Sequence, residues 1–263
     1  MKKGIYIYGI IEENGNKSFG QIGMDKSEVY TIPYQTLAAV VSNVPAMVYQ
    51  LTPENARAHE NVIRKVMEER SVIPMSFGMV ASNGSQVEKI LSIGYKVFKS
   101  MLERIENKIQ IDVKVLWDKD KIYLDILREN ENIKRLTRKA DKSQEDKIEL
   151  GKLVNQALAE KREFYIGEIK NVLADFSEPP KENKLTDERM ILNLAYLVDK
   201  TREQEFYDRV NEKERSYEGK LQIIAVGPLP AYNFTKLELK KLDFNLIDSA
   251  RKILGLNEEI TNE

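Results

Sequence analysis

The chain has 263 residues, 42% of them hydrophobic, which supplies one large core or two small ones and predicts a folded, soluble protein. Its 41 Lys and Arg nearly cancel its 42 Asp and Glu, so the whole molecule offers no general attraction to phosphate backbones or anionic lipid, and nucleic acid is not an expected partner. Cys is absent, which excludes disulfides, thiolate nucleophiles and cysteine metal clusters and suits the cytoplasm.

The opening Met1-Lys2-Lys3 and the apolar run after it look superficially like a secretory leader. Glu12 and Glu13 cut that run short, no small-residue cleavage site follows, and Ile5 to Ile11 is rich in β-branched and aromatic residues, so it reads as a first strand. Val29 to Ile32 and Leu37 to Val41 read as two more, the latter apolar throughout, as in a strand buried on both faces. Thr52-Pro53-Glu54 starts a helix: a hydroxyl cap, a proline where no amide donor is needed, and an acid at the positive end. Ala56, His59, Ile63 and Val66 form its apolar stripe. Val72 to Gly78 is a short strand interrupted by Pro74, and Asn83-Gly84-Ser85 opens a second helix with Val87, Ile90, Leu91, Tyr95, Phe98 and Leu102 inward. Ile109, Ile111, Val113, Val115 and Trp117 then alternate with other residues at strand period. This order predicts a split βαβ, ferredoxin-like sheet with two helices on one face, over residues 1–118.

Residues 119–142 are strongly charged around a small apolar cluster (Ile122, Leu124, Ile126, Leu127) and read as a helical connector between two domains. Leu150, Val154, Leu158, Tyr165, Ile169, Leu173 and Phe176 predict one long helix, bent at Gly151 or Gly167 and ended before Pro179-Pro180. Met190 to Val198 reads as a buried strand, Thr201 to Arg215 as a helix, and Leu221 to Val226 as a further strand. Residues 143–236 thus form a second α/β domain, a modified ferredoxin-like one with a long helix, within an α+β fold. Leu246, Ala250, Ile253 and Leu254 give a short amphipathic helix in a final segment, 237–263. The longest apolar runs fall far short of the ~20 residues of a spanning helix, so no membrane span is expected.

Tests for chemistry fail one after another. The sole histidine, His59, precedes Glu60, but Ile63 stands where a zinc-protease motif needs its second histidine. No Gly-x-Ser-x-Gly elbow supplies a nucleophile, and neither Gly78 to Ser85 nor Gly151-Lys152 has the spacing of a phosphate loop. His59 reads as a hydrogen-bonded core residue. The basic run Lys134, Arg135, Arg138, Lys139 and Lys142 lies beside Asp141, Glu145 and Asp146 and reads as a solvated helix face. No catalytic, cofactor-binding or metal-binding residue is expected, no cofactor, and no enzyme.

Two segments stand out, Pro74 to Gly78 and Gly227 to Phe234. Each joins stiff or permissive backbone to aromatics at a strand end. Pro74, Phe77, Pro228, Pro230, Tyr232 and Phe234 are the candidates for rigid apolar partner-binding ledges; the other reading has Gly and Pro ending strands while Phe77, Tyr232 and Phe234 fill cores.

Taken in order, Ile5-Tyr6-Ile7-Tyr8-Gly9-Ile10, Leu37-Ala38-Ala39-Val40-Val41-Ser42, His59-Glu60, Val72-Ile73-Pro74-Met75-Ser76-Phe77-Gly78, Val113-Lys114-Val115-Leu116-Trp117-Asp118, Asn193 to Val198 and Gly227 to Phe234 resemble the GvpF/GvpL family of gas vesicle accessory proteins, from Lys3 to about Phe234. Ser76, Leu229 and Ala231 depart from the family pattern. The resemblance implies two α/β domains and a role in gas vesicle formation. It implies an assembly adaptor in the cytoplasm or on the vesicle, in contact with the small hydrophobic shell protein and other accessory proteins, and a minor component of the vesicle where it is retained. A small-ligand-binding regulatory protein on ferredoxin-like domains is the alternative, since fold alone does not choose.

Overall fold

The computed structural model describes residues 3–139, 143–176 and 178–235. Two compact units share the chain: one is built on residues up to Ile109 and takes the chain back at Leu229, and the other is Gln110–Pro228. Both are mixed α/β, each with its own sheet.

In the first unit, β1 (Lys3–Glu12) is buried from Gly4 through Ile11. A short β2 (Ser18–Gly20) is followed by the hairpin of β3 (Val29–Tyr34) and β4 (Leu37–Pro45), which pairs antiparallel to β1. The helix α1 (Pro53–Met67) starts where the sequence predicts: Thr52 Oγ1 accepts the Asn55 amide at 3.2 Å. After β5 (Val72–Pro74) and β6 (Val80–Ala81), α2 (Gly84–Ile105) starts on Asn83, whose side chain accepts the Gln86 amide at 3.0 Å. The strand order is β2-β3-β4-β1-β5, with β6 also on β1.

The two helices cover opposite faces of this sheet, a correction to the one-face expectation. Val62, Ile63 and Val66 of α1 pack on Tyr6, Tyr8, Val29, Ala38 and Val40. Strand alternation turns Ile32 and Tyr34 the other way, toward Gly84 and Tyr95 of α2, with the two tyrosine rings 6.2 Å apart. The physical reason is in β1 and β4 themselves: near-continuously apolar strands need cover on both sides.

A register shift between Ile7 and Gly9 brings Ile11 onto the same face as Tyr6 and Tyr8. Gly9 sits there opposite Pro74, and a Cβ built on it would lie 2.9 Å from the Ile73 carbonyl oxygen and 2.6 Å from a Val72 methyl. The carbonyl is part of the strand pairing and cannot yield without opening it. Gly9→Ala is therefore expected to cost about 1–3 kcal/mol, read as an earlier denaturant midpoint.

The second unit comprises β7 (Lys108–Trp117), α3 (Lys119–Glu129), α4 (Glu131–Arg138), α5 (Gln144–Val172), β8 (Lys181–Glu182), β9 (Met190–Asp199), α6 (Glu203–Ser216) and β10 (Leu221–Leu229). Its strand order, β10-β7-β9-β8, puts the first strand inside the sheet in a β-α-β-β-α-β succession, the ferredoxin-like arrangement. The strand over 109–117 was expected in the first domain; it pairs instead in this second sheet, since alternation reveals a strand but not its neighbours. The charged stretch expected as a connector is also part of this unit. Its helices α3 and α4 pack on α5 and bury Ile122, Ile126, Ile133 and Leu136, so the charges are the solvent side of packed helices. The long helix α5 runs unbroken through Gly151 and Gly167. The C-terminal helix expected around Leu246 to Leu254 lies outside the described residues.

The core of the second unit centres on Phe206 of α6, fully buried, with Phe176 at 5.1 Å and Tyr196 at 5.5 Å between ring centroids. Arg202 and Arg209 stack on Phe176 at 4.1 and 4.6 Å, both held by Asp175 and Glu205.

Candidate functional site

Two of the six sequence-selected residues, Phe77 and Tyr232, pack against one polar aromatic cluster in the first unit. His59, on the inner face of α1, is 4% exposed. Its Nδ1 lies 3.0 Å from the Tyr6 hydroxyl and its Nε2 3.1 Å from the Met75 carbonyl. A carbonyl only accepts, so Nε2 carries the proton and Nδ1 accepts from Tyr6 O–H. The Tyr6 oxygen in turn accepts the Gly78 amide at 2.8 Å. The chain of bonds ties α1, β1 and the segment Met75–Gly78 together. Tyr8 extends it, its hydroxyl 2.8 Å from Ser42 Oγ and accepting the Met24 amide at 2.7 Å.

Burial governs the electrostatics. Desolvation pushes the His59 pKa down to about 4, opposed only by the Met75 carbonyl, which favours the protonated ring. Tyr6 is pushed up to about 12, again by desolvation. Both groups are neutral near pH 7, and both nitrogens of His59 are engaged, so the imidazole clamps backbone here, as a core histidine.

Phe77 is half-buried against this cluster, its ring 5.8 Å from His59 and 6.3 Å from Tyr6. Pro74 is half-buried in β5, opposite Gly9. Tyr232 packs against the same cluster, its pKa pushed up to about 12 by burial and then by the charge of Glu60. Phe234 is buried, with the Arg104 guanidinium 5.9 Å from its ring, and Pro230 accepts the Tyr232 amide at 2.7 Å in a tight turn. Pro228 stands apart, exposed in β10 of the second unit. Thus Phe77 and Tyr232 meet on one cluster, Pro74 pairs with Gly9 of β1, Pro230 and Phe234 fold with the same unit, and Pro228 does not.

A feature that sequence reasoning missed adjoins this cluster. Between β4 and α1, Met47, Val48 and Leu51 are 57%, 89% and 73% exposed, while Tyr49 between them is 8% exposed and stacks edge-on to Tyr6 at 5.5 Å. The Tyr49 carbonyl lies 3.9 Å from where a Cβ on Gly78 would stand. One anchored aromatic thus holds three apolar side chains in water. The seven residues between β4 and α1 carry neither a 3.6 nor a 2.0 period, so no pattern marked them.

A family model described as "Gas vesicle synthesis protein GvpL/GvpF" matches residues 4–236. The chain belongs to the GvpL/GvpF family. Among GvpL/GvpF relatives, gas vesicle protein F1 of Halobacterium salinarum is 29% identical over 243 residues, covering 91% of this chain and 96% of that protein. Gas vesicle protein F of a Nostoc species is 23% identical, covering 90% and 100%. The crystal structure of GvpF from an Anabaena species superposes with a TM-score of 0.80 at 21% identity over 90% of this chain and 99% of that one. GvpF from Microcystis aeruginosa gives 0.74 at 21% identity, over 89% and 99%. The fold is therefore that of the GvpF crystal structures, and the function of this GvpL/GvpF member is a gas vesicle function. Among the described residues no helix is long and apolar enough to cross a membrane.

Proposed function

We propose that this chain is an accessory assembly protein of gas vesicles, which binds the small hydrophobic shell protein, and other accessory proteins, and covers apolar faces of the shell subunits before they join the wall. The carrying observation is the family match over residues 4–236, whose description is gas vesicle synthesis. Shell subunits with apolar faces aggregate unless those faces are covered, and the cover must itself present apolar surface. Met47, Val48 and Leu51 supply such surface on a backbone anchored by Tyr49, which lowers the ordering cost of binding. Half-buried Phe77 and Tyr232 continue it on the neighbouring cluster.

Co-expression with the shell protein tests this reading. The shell protein is expected to stay in the supernatant and to co-purify with the tagged chain. Replacing Met47, Val48 and Leu51 together by Ser is expected to cut the captured shell protein about tenfold or more, as loss of a central apolar contact does. Shell protein that remains in the pellet and is never captured by the unaltered chain overturns the assembly reading. Equal capture by the triple variant moves the contact away from this loop and leaves the assembly role standing.

A further inference from the structure

The exposed apolar loop and the returning chain share one cluster. Tyr49, which anchors the loop of Met47, Val48 and Leu51, stacks edge-on to Tyr6 at 5.5 Å, and Tyr232 packs against the same cluster. Just after Tyr232 the chain is fixed: Phe234 and Thr235 are buried, and Thr235 Oγ1 donates to the Ala231 carbonyl at 2.8 Å. Whatever follows Thr235 therefore starts from a fixed point in the first unit, the unit that carries the loop.

Sequence and reach single out one occupant for the loop. Beyond Thr235, Leu246, Ala250, Ile253 and Leu254 recur at helical period with Asp248 on the opposite side, an apolar stripe with no place in either described core. Ten residues separate Thr235 from Leu246, enough to span roughly 33 Å when extended. The loop starts after Pro45, which pairs with Lys3, three residues of β1 or about 10 Å from Tyr6, well inside that reach. Held on one chain, two such surfaces meet at an effective concentration on the order of millimolar, so a contact too weak to join separate molecules still closes. The stripe lies beyond residue 236, where the match to the family ends.

We propose that residues 246–254 of the same molecule cover Met47, Val48 and Leu51 in the free chain, and that a hydrophobic partner displaces them. The cover keeps the apolar loop from indiscriminate adhesion until a partner with a larger apolar face competes for it. This deepens the shell-protein reading above: the cover stands without that reading, and only the identity of the displacing partner rests on it.

Cysteine substitution in the full chain tests it, because the sequence has no cysteine of its own. Val48→Cys with Ala250→Cys is expected to form a disulfide within one molecule under mild oxidation, about tenfold faster than Val48→Cys with Asp248→Cys on the opposite side. Alkylation of Val48→Cys alone is expected to speed up about tenfold when Leu246, Ile253 and Leu254 are replaced together by Ser, with the melting temperature kept. Equal alkylation with and without the Ser substitutions overturns the proposal. So does equal cross-linking through Ala250 and Asp248, or a cross-link that joins two molecules, which makes a second copy the occupant. None of these measurements contains shell protein, so their failure leaves the assembly reading untouched. In the co-expression test the Ser variant is expected to capture about threefold more shell protein, as loss of a competitor does. No gain in capture overturns displacement. Capture by neither form overturns the assembly reading, while an Ala250 cross-link upholds the cover.

Discussion

Phe206→Ala is expected to destabilise the second unit by about 3–5 kcal/mol, the usual cost of removing a fully buried aromatic ring. Phe206 has no exposure, and its ring is flanked edge-on by Phe176 and at a tilt by Tyr196. The neighbours cannot collapse into the vacated volume. Phe176 is held from outside by Arg202 and Arg209, which in turn are bonded to Asp175 and Glu205, and Tyr196 belongs to β9, a strand inside the sheet. Denaturant unfolding followed by hydrogen exchange checks the size and the place of the loss. Protection is expected to fall in Met190–Asp199 and Glu203–Ser216, with Lys3–Glu12 of the first unit unchanged at low denaturant. A loss below about 1 kcal/mol means that the site repacks, against the rigidity argued here.

Acid is expected to remove a comparable amount of stability from the first unit through His59. Its folded pKa of about 4 lies below the ordinary 6.5, so the sign follows from where protons bind. Above pH 6.5 neither state is protonated and this group contributes no pH dependence. Between pH 6.5 and 4 the unfolded chain takes up a proton that the folded chain refuses, so stability falls as pH falls. Below pH 4 both carry it and the loss levels off, at about 3 kcal/mol in total. The cause is burial of the ring, together with a Tyr6 O–H donated to Nδ1 that a protonated imidazole could not accept. The chain has a single histidine, so one imidazole resonance reports the titration without ambiguity. A midpoint near 6.5 in the folded protein sinks the argument. His59→Gln, compared with the unaltered chain across the same window, is expected to flatten the stability profile between pH 6.5 and 4 while lowering stability at pH 7, because the Tyr6 and Met75 partners lose their geometry.

One member of the cluster was legible in the sequence alone. His59 on an apolar stripe, with no chemical partner in the sequence, reads as a core histidine, and it is one. The meeting of Phe77 and Tyr232 was not legible, because Tyr232 is more than 150 residues from Phe77 along the chain and returns to the first unit only after the whole of the second. The separation of Pro228 from Pro230 has the same origin: two prolines in one short motif fall on either side of the division at Leu229. Exposure of Met47, Val48 and Leu51 depends on Tyr49 finding Tyr6, again a contact between distant residues.

By itself the sequence determined the local elements and the family. Side-chain period, Thr52 and Asn83 as caps, and the ordered motifs from Ile5 to Phe234 are properties of neighbouring residues, which interact whatever the rest of the chain does. Only the tertiary structure decided that β7 joins the second sheet, that α1 and α2 take opposite faces, and that the charged helices α3 and α4 are packed parts of a unit. Strand pairing is made by backbone N–H and C=O groups that every residue but proline carries alike, so the choice of partner is set by the competition of all buried surfaces at once.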